Sequence, residues 1–254
     1  MRSRWIIFSI KPWWHCLPLK MTPNPSAPLA SLEDACTVVL VRDGQSGLET
    51  LLLERPQNSR AFGGAWVFPG GKVDAADRRE GNGRSVDDFS AAQRAGLREV
   101  AEETGQRLDG DEMVWLSQWT PMQQLPRRFR TWFMLARAVT GSVTLSPEEH
   151  SNYAWLSPVD ALERHAQGKL TLVPPTWVTL HDLAGKFTVA DALADARSNP
   201  APVYNTQLLP PDGLMWLGDA AYPRQNISET VSAPGARHRL TTASLPWIFE
   251  RRSG

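Results

Sequence analysis

The sequence has little cysteine, no long hydrophobic run and no excess of either charge. Two cysteines, Cys16 and Cys36, among 254 residues are too few for a disulfide framework, so free thiols and a reducing, cytoplasmic environment are expected. No apolar stretch approaches the roughly 20 residues of a membrane-spanning helix, so no membrane association is expected. Basic and acidic residues both number 27, which disfavours a protein that binds nucleic acid through a basic surface.

Strand and helix patterns alternate along the chain and predict a layered α/β (α+β) domain. Residues 1–33, with a basic start and a Pro/Ser-rich segment, are expected to form a flexible extension. Residues 34–185 form the predicted main domain, with strand runs such as "ACTVVLVRDG" and "RFRTWFMLARAV". Residues 186–254 begin with a helical stretch and become proline-rich and irregular after Ser198. We expect this last part to pack on or cap the main domain.

One predicted helix contains the stretch "REVAEETG". Two candidate capping boxes precede it, Ser85 with Asp88 and Ser90 with Gln93. Gly105 is placed to end the helix in the left-handed conformation. The glutamates of this stretch therefore belong to the last turns of the helix.

Glu99, Glu102 and Glu103 are spaced to lie on one face of that helix. Like charges at this spacing repel one another, so the glutamates form either a solvated acidic face or a cation site. Upstream, the adjacent Gly70 and Gly71 allow the backbone to approach a ligand closely. Carboxylate and carbonyl oxygens suit Mg²⁺ or Mn²⁺, and such an ion would offset the repulsion. A divalent metal site is predicted.

The segment "GGKVD…REVAEETG" resembles the Nudix box. The second half of the box is matched in full by Arg98, Glu99, Val100, Glu102, Glu103 and Gly105. The first half departs from the pattern, because Gly71 and Arg98 lie 27 positions apart instead of 14. The leading glutamate of the box falls on Asp77 when counted from Gly71 and on Ser90 when counted from Arg98. Asp74 and Asp77 are the candidate substitutes.

The resemblance implies a Nudix α/β/α sandwich with a mixed sheet, and metal-dependent hydrolysis of a phosphoanhydride in a nucleoside diphosphate conjugate. It implies that Glu99, Glu102, Glu103 and the carbonyl of Gly71 bind Mg²⁺ or Mn²⁺. Arg98 is expected to orient Glu99 by charge-assisted hydrogen bonds. Glu99 is one candidate for the base that activates water.

A second acidic segment, "PEEHSNYAWLSP", resembles the place where the family often carries an acidic residue six positions before a tryptophan. Glu149 precedes Trp155 by that interval and is predicted to be a further metal ligand or the base. The alternative is a solvated loop carboxylate. His150 is interpreted as a loop residue, since hard cations prefer oxygen ligands.

The stretch "LLLERPQNSRAFGGAWVFPGG" resembles the signature of the coenzyme A diphosphatases within the family, some of which also have an interrupted box. The predicted substrate-binding residues are Arg55, Arg60, Phe68 and Gly70. Two arginines suit the phosphates of coenzyme A, because guanidinium groups bind phosphate in bidentate fashion. Their alternative role is solubility at a strand edge and in a loop.

Other functions remain open at this point. The same box serves enzymes that cleave ADP-ribose, NADH or dinucleoside polyphosphates. A catalytically weak nucleotide-binding module is the alternative from another class, favoured by the missing first glutamate and disfavoured by the three intact ones. The expected partner is a small nucleotide-type molecule, and a homodimer is compatible with the sequence.

Overall fold

The computed structural model describes residues 30–59, 62–81, 83–123, 125, 127–223 and 232–254. In these residues nine strands form a mixed sheet. They are β1 (Leu32–Gly44), β2 (Gly47–Glu54), β3 (Ala65–Val67), β4 (Gly70–Lys72), β5 (Val114–Thr120), β6 (Arg128–Arg137), β7 (Asn152–Leu156), β8 (Thr171–Leu172) and β9 (Val203–Asn205). Four α-helices flank the sheet: α1 (Asp88–Thr104), α2 (Pro158–Ala166), α3 (Pro174–Leu183) and α4 (Val189–Ser198).

The long strand β1 organises the sheet. Along one edge it pairs in parallel with β6, from Leu32 opposite Arg128 to Val41 opposite Arg137. Along the other edge it pairs with β2 near the hairpin and with β4 further away. Because β3 pairs with the far end of β2, the chain through β3 and β4 lies between the two diverging strands. This arrangement brings the double glycine of β4 into the middle of the sheet.

Alternate residues of β1 face two cores, as the period of a strand requires. Val38 and Leu40 pack with the small buried side of α1 on one face. Val39 and Val41 pack on the other face with buried residues of α2, α3 and α4. The predicted α/β/α sandwich with a mixed sheet is therefore confirmed.

Helix α1 lies unusually close to β1 at Gly96. A Cβ atom at this position would stand 2.7 Å from the sulfur of Cys36 and 2.9 Å from a methyl group of Val38. The close approach is possible because Gly96 has no side chain, and it fixes the height of the helix above the sheet.

The C-terminal end of α1 agrees with the prediction from the sequence, and the N-terminal end does not. Gly105 ends the helix with a φ of 71°, as predicted. The predicted capping boxes at Ser85 and Ser90 are wrong, because Asp87 is the N-cap and accepts a hydrogen bond from the Ser90 amide at 2.9 Å. An anionic cap also interacts favourably with the positive end of the helix dipole.

The chain after Ser198 is more regular than the sequence indicated. Besides β9, it forms a four-stranded antiparallel sheet of β10 (Gln207–Leu209), β11 (Gly213–Met215), β12 (Arg237–Thr241) and β13 (Ile248–Arg252). Leu214, Trp216 and Leu240 of this region join the core that contains α3 and α4. These parts of the chain after residue 186 thus share a core with the main domain. Among the described residues, no helix has both the length and the apolarity needed to cross a bilayer.

Asp219 ties the small sheet together. Its carboxylate, 1% exposed, accepts hydrogen bonds from the amides of Ala221 and His238 and a bidentate pair from Arg239, whose Nε lies 2.6 Å away. Burial raises the pKa of Asp219, but these donors outweigh it and lower the pKa to about 2. Asp219 is therefore a fully compensated buried charge.

Candidate metal and catalytic site at the end of helix α1

The three glutamates of α1 have very different surroundings. The Glu99 side chain is 14% exposed, that of Glu102 is 56% exposed, and that of Glu103 is 7% exposed. The last turn of the helix therefore presents one exposed carboxylate and two that point toward the sheet. Only the latter two lie against the backbone of β4.

The double glycine allows this close approach. Gly70 has a φ of 152°, and a side chain there would collide with the backbone of β1 at Cys36 and Thr37. A side chain at Gly71 would collide with the carboxylate of Glu99. Both positions thus require glycine, one for backbone packing and the other to admit a carboxylate.

Glu103 is the most deeply buried acid of the site. Its Oε2 accepts a hydrogen bond from the Gly70 amide at 2.8 Å. Burial raises the pKa of Glu103 to about 8, and the negative charges of Glu99 and Glu149 add to the rise. The amide of Gly70 and the cation of Arg55 act in the opposite direction without cancelling it. The protein alone therefore under-compensates this charge.

Arg98 holds the acidic cluster in place. Its guanidinium donates to Glu99 at 2.7 Å, to Glu102 at 3.1 Å and to the carbonyl of Lys72 at 3.0 Å. It also forms a two-point contact with Asp77, at 2.9 and 3.3 Å. The Asp77 carboxylate, followed by Glu99, raises the pKa of Arg98 above its ordinary value. Arg98 is a positioning residue, since all these contacts are with protein groups.

Asp77 occupies the place that counting from Gly71 assigned to the leading glutamate of the box. It is 7% exposed and also accepts a hydrogen bond from the Asp74 amide. The Asp74 side chain is 63% exposed and its carboxylate lies 3.8 Å from Arg98. Of the two candidates, the structure therefore places Asp77 against the arginine, and the extra residues of the interrupted box follow it.

A loop from another part of the chain completes the cluster. The amides of Thr144 and Ser146 donate to the carbonyls of Thr104 and Glu103, at 2.9 and 3.3 Å, and so tether this loop to the end of α1. The amides of Glu149 and His150 both return to the carbonyl of Ser146 at 3.1 Å. This turn brings the loop side chains to the carboxylates of the helix.

Sequence reasoning missed the position of His150. The residue is 4% exposed, and its Nε2 lies 3.7 Å from Oε1 of Glu103. Donor atoms of Glu103, Glu149 and His150 lie within 4.8 Å of one another. Burial, and then the charge of Arg55, lower the pKa of His150 to about 4, so its imidazole is neutral near pH 7. No local signal in the sequence could have identified this contact.

The four predicted substrate-binding residues differ in how well their surroundings suit a contact with substrate. The Arg55 guanidinium acts electrostatically on both Glu103 and His150, and its buried Nε has no hydrogen-bond partner among the described residues. Phe68 is 3% exposed and packs edge-on against Phe133 at 6.4 Å. The geometry gives no support to a substrate contact by Phe68, and the Gly70 amide is engaged by Glu103. Arg60 lies outside the described residues.

The donor set fits a divalent cation. Burial raises the pKa of Glu99 and of Glu103. The charges of Glu102 and Glu149 add to the rise at Glu99, and those of Glu99 and Glu149 add to the rise at Glu103, which indicates that these charges converge on a small volume. Gly71 leaves room beside Glu99 for a backbone approach. Oxygen-rich sites with several carboxylates are suited to Mg²⁺ and Mn²⁺. The residues present therefore fit the divalent ion that the resemblance to the Nudix box implies.

A further cavity lies elsewhere in the structure. It has a volume of about 370 Å³ and is lined by residues of α3, α4, β5 and β9, including Asp182, Tyr204 and Arg251. None of the clustered glutamates lines it. The chemistry is assigned to the open acidic site rather than to this cavity, because only the former collects groups that can bind a metal or activate water.

Comparison with known proteins identifies the family of the chain. The NUDIX domain family model matches residues 32–175, which is more than half of the chain, and the chain belongs to the Nudix hydrolase family. A NUDIX hydrolase from Alicyclobacillus acidocaldarius has a similar fold, with a TM-score of 0.58, 24% identity, and coverage of 66% of this chain and 97% of that one.

A curated relative carries a more specific description. The m7GpppN-mRNA hydrolase NUDT17 of Danio rerio is 28% identical over 208 residues, which cover 72% of this chain and 64% of that relative. The match therefore spans less than two thirds of the relative. The coenzyme A diphosphatase branch suggested by the sequence is not confirmed by these comparisons.

Proposed function

We propose that this protein hydrolyses the diphosphate bridge of coenzyme A or acyl-CoA, releasing 3′,5′-ADP and the corresponding phosphopantetheine. The observation that carries the proposal is the convergence of Glu99, Glu103 and Glu149 beside Arg55. The carboxylates suit a metal that binds a diphosphate, and the unpaired Nε of Arg55 offers a donor for phosphate oxygen. The spacing of Arg55 to the double glycine matches the coenzyme A signature.

Each residue has a distinct role in the proposed reaction. Glu99, Glu103 and Glu149, with the Gly71 carbonyl, would hold Mg²⁺ or Mn²⁺, and the exposed Glu102 lies beside them. When bound, the metal neutralises diphosphate charge and increases the acidity of water. Arg98 keeps Glu99 in position. Arg55 binds a phosphate of the substrate.

Glu149 is also the proposed base, acting through the carboxylate oxygen that does not bind the metal. It is exposed, whereas Glu99, the alternative, already accepts a hydrogen bond from Arg98. Water forms a new bond to one phosphorus while the bridging P–O bond breaks. The Glu149 carboxylate takes the proton of the water, and the electron pair of the broken bond leaves with the second phosphate.

The test is a substrate panel with Mg²⁺: coenzyme A, acetyl-CoA, dephospho-CoA, ADP-ribose, NADH, diadenosine polyphosphates and an m7GpppA cap dinucleotide. The proposal expects 3′,5′-ADP from coenzyme A at a higher kcat/KM than any other product, and loss of turnover on chelation. Hydrolysis in ¹⁸O-labelled water would identify the attacked phosphorus. Cleavage of the other compounds with coenzyme A left intact would contradict the assignment of substrate.

Dephospho-CoA provides a sharper control, because it lacks only the 3′-phosphate. If Arg55 binds that phosphate, Arg55→Gln should lower kcat/KM for coenzyme A and leave that for dephospho-CoA nearly unchanged. An equal loss on both would assign Arg55 to the diphosphate bridge.

Hydrolysis of an mRNA cap is the second candidate function. It is favoured by the similarity to the m7GpppN-mRNA hydrolase of Danio rerio. The same carboxylates would act on the triphosphate bridge of the cap. Release of a methylated guanine nucleotide from the cap dinucleotide, faster than any product from coenzyme A, would establish it. Tight nucleotide binding without turnover of any compound would instead indicate a binding module.

A further inference from the structure

We propose that His150 is a nitrogen ligand of the metal and gives the site a preference for Mn²⁺ over Mg²⁺. The inference rests on the proposed function only in assuming that the acidic cluster binds a divalent cation. It adds a ligand that the box does not contain and a selectivity that carboxylates alone would not produce.

His150 and Glu103 face each other at a separation that suits two ligands of one metal ion. Their facing atoms, Nε2 and Oε1, are 3.7 Å apart, too far for a hydrogen bond. Two donors that bind one metal at about 2.1–2.2 Å each stand about 3.0–4.4 Å apart, depending on the angle between them. The observed separation falls within this range. Glu103 is also held so that Oε2 is used by the Gly70 amide and Oε1 faces the imidazole.

Within the part of the chain that the structure describes, the buried imidazole of His150 lacks hydrogen-bond partners. His150 is 4% exposed, and its buried Nδ1 has no hydrogen-bond partner among the described residues. Its other nitrogen is aimed at Glu103. That nitrogen, Nε2, lies 3.7 Å from Oε1 of Glu103, beyond hydrogen-bond range. Since buried polar groups are seldom left without a partner, a metal between Nε2 and the carboxylates would give this nitrogen a partner.

The loop that carries His150 holds its imidazole beside the carboxylates of α1. Backbone hydrogen bonds from Thr144 and Ser146 to the end of α1, and from His150 back to Ser146, fix the turn. Glu149, on the same turn, supplies a third donor within 4.8 Å. The chain thus presents two carboxylates and one imidazole from two tethered segments.

The donor chemistry then determines the selectivity. Mg²⁺ strongly prefers oxygen ligands and keeps several waters, whereas imidazole suits transition metals. Removal of the imidazole should therefore weaken Mn²⁺ binding about 10–100-fold, the range seen when groups that support a metal site are lost. Mg²⁺ binding should change far less.

The experiment measures Mn²⁺ binding by electron paramagnetic resonance and calorimetry in the full chain and in His150→Gln. We expect ¹⁴N modulation from a histidine in the spin-echo spectrum of bound Mn²⁺, which becomes ¹⁵N modulation after ¹⁵N-histidine labelling and is absent in His150→Gln. His165→Gln is the matched control. His165 is equally buried, also carries a nitrogen without a partner, and lies in α2 away from the acidic cluster. Thermal unfolding of both variants reports whether they fold.

Each outcome is decisive. Mn²⁺ bound without histidine nitrogen coupling, in a protein that hydrolyses its substrate, overturns the ligand role of His150 and leaves the proposed function intact. Equal Mn²⁺ affinity of the full chain and a folded His150→Gln with reduced kcat makes His150 a positioning residue and overturns the proposal. Absence of Mn²⁺ binding and of turnover in the full chain contradicts both this inference and the proposed function.

Discussion

Two buried carboxylates in this protein have opposite environments. Glu103, 5% exposed, has one backbone donor and two acidic neighbours, and its pKa is raised to about 8. Asp219, 1% exposed, has a bidentate arginine and two backbone donors, and its pKa is lowered to about 2. Burial raises the pKa in both cases, so the partners decide the result.

The difference distinguishes a structural acid, Asp219, from a proposed metal ligand, Glu103. Protein groups supply all the hydrogen bonds and the positive charge that Asp219 needs, so its charge stabilises the folded protein. The fold leaves Glu103 with too little positive charge, which an added cation can supply. An under-compensated buried charge beside other acids is therefore a better indicator of a metal site than the acidic cluster itself.

The largest expected effect is on stability. Asp219→Asn should lower the free energy of unfolding by about 3 kcal/mol, because it removes the buried anion that accepts hydrogen bonds from two backbone amides and from Arg239, whose side chain is 17% exposed. Urea unfolding measures the change. Glu33→Gln is the control, since Glu33 pairs with Lys72 at the surface, and a change below about 1 kcal/mol is expected. If both variants behave alike, Asp219 is not the compensated charge described above.

The corresponding change at the site should affect activity instead. Glu103→Gln should reduce kcat at least about 100-fold, comparable to the loss of one group that stabilises transition-state charge. Without metal, Glu103→Gln should be as stable as the wild-type protein or more stable. The glutamine side-chain oxygen can still accept the hydrogen bond from the backbone N–H of Gly70, and no charge is buried. Glu148→Gln, an exposed change in the neighbouring loop, is the control for kcat. A stable Glu103→Gln with full turnover would remove Glu103 from the metal site.

Metal addition should distinguish the two acids directly. At a Mg²⁺ concentration 100 times Kd, the wild-type protein should gain about 2.7 kcal/mol of unfolding free energy. Asp219→Asn should gain the same increment, because its site is intact, whereas Glu103→Gln should gain little. Thermal or urea unfolding with and without chelator measures the increments. A similar gain in all three proteins would mean that the metal binds elsewhere.

A smaller effect is expected one contact away from the metal ligands. Asp77→Asn should reduce kcat about 10–100-fold, as is typical when the residue that orients a ligand is lost, because Arg98 would lose its bidentate anion. Asp77→Glu should retain more activity than Asp77→Asn. Asp74→Asn is the control, since its side chain is largely exposed. Equal activity of the Asp74 and Asp77 variants would show that Arg98 needs neither anion.

The smallest effect concerns pH. The folded pKa of Asp219 is about 2 and that of an unfolded aspartate is about 3.9, so its stabilisation is fully present above pH 4 and is lost as the pH falls toward 2. Between pH 5 and pH 3 the loss should be about 1 kcal/mol. The difference in unfolding free energy between wild type and Asp219→Asn should shrink by this amount over that interval. A constant difference would contradict the lowered pKa.

The sequence predicted the parts of the site that depend on local order. Glu99 and Glu103 share a helix face, and the double glycine precedes them in the same motif, so spacing alone located them. The N-cap was mispredicted because Ser85, Asp87 and Ser90 are all good caps within six residues, and only the backbone conformation selects one.

The parts that sequence reasoning missed depend on contacts between distant segments. His150 becomes a site residue only because the Thr144–Ser146 backbone is tethered to the end of α1. The small C-terminal sheet was read as irregular because β10 and β11 have three residues each, too few to show an alternating pattern. Their stability comes from cross-strand pairing and from the core.

Gly96 links the packing of α1 on β1 to the position of the carboxylates at the end of the helix. Glu103 lies seven residues further along the same helix, about two turns away, so the helix transmits any change in its height above β1 to the carboxylates. A single methyl group at Gly96 would have to push the helix away from Cys36 and Val38. Such a substitution is therefore expected to disturb both the packing of α1 on β1 and the position of the carboxylates.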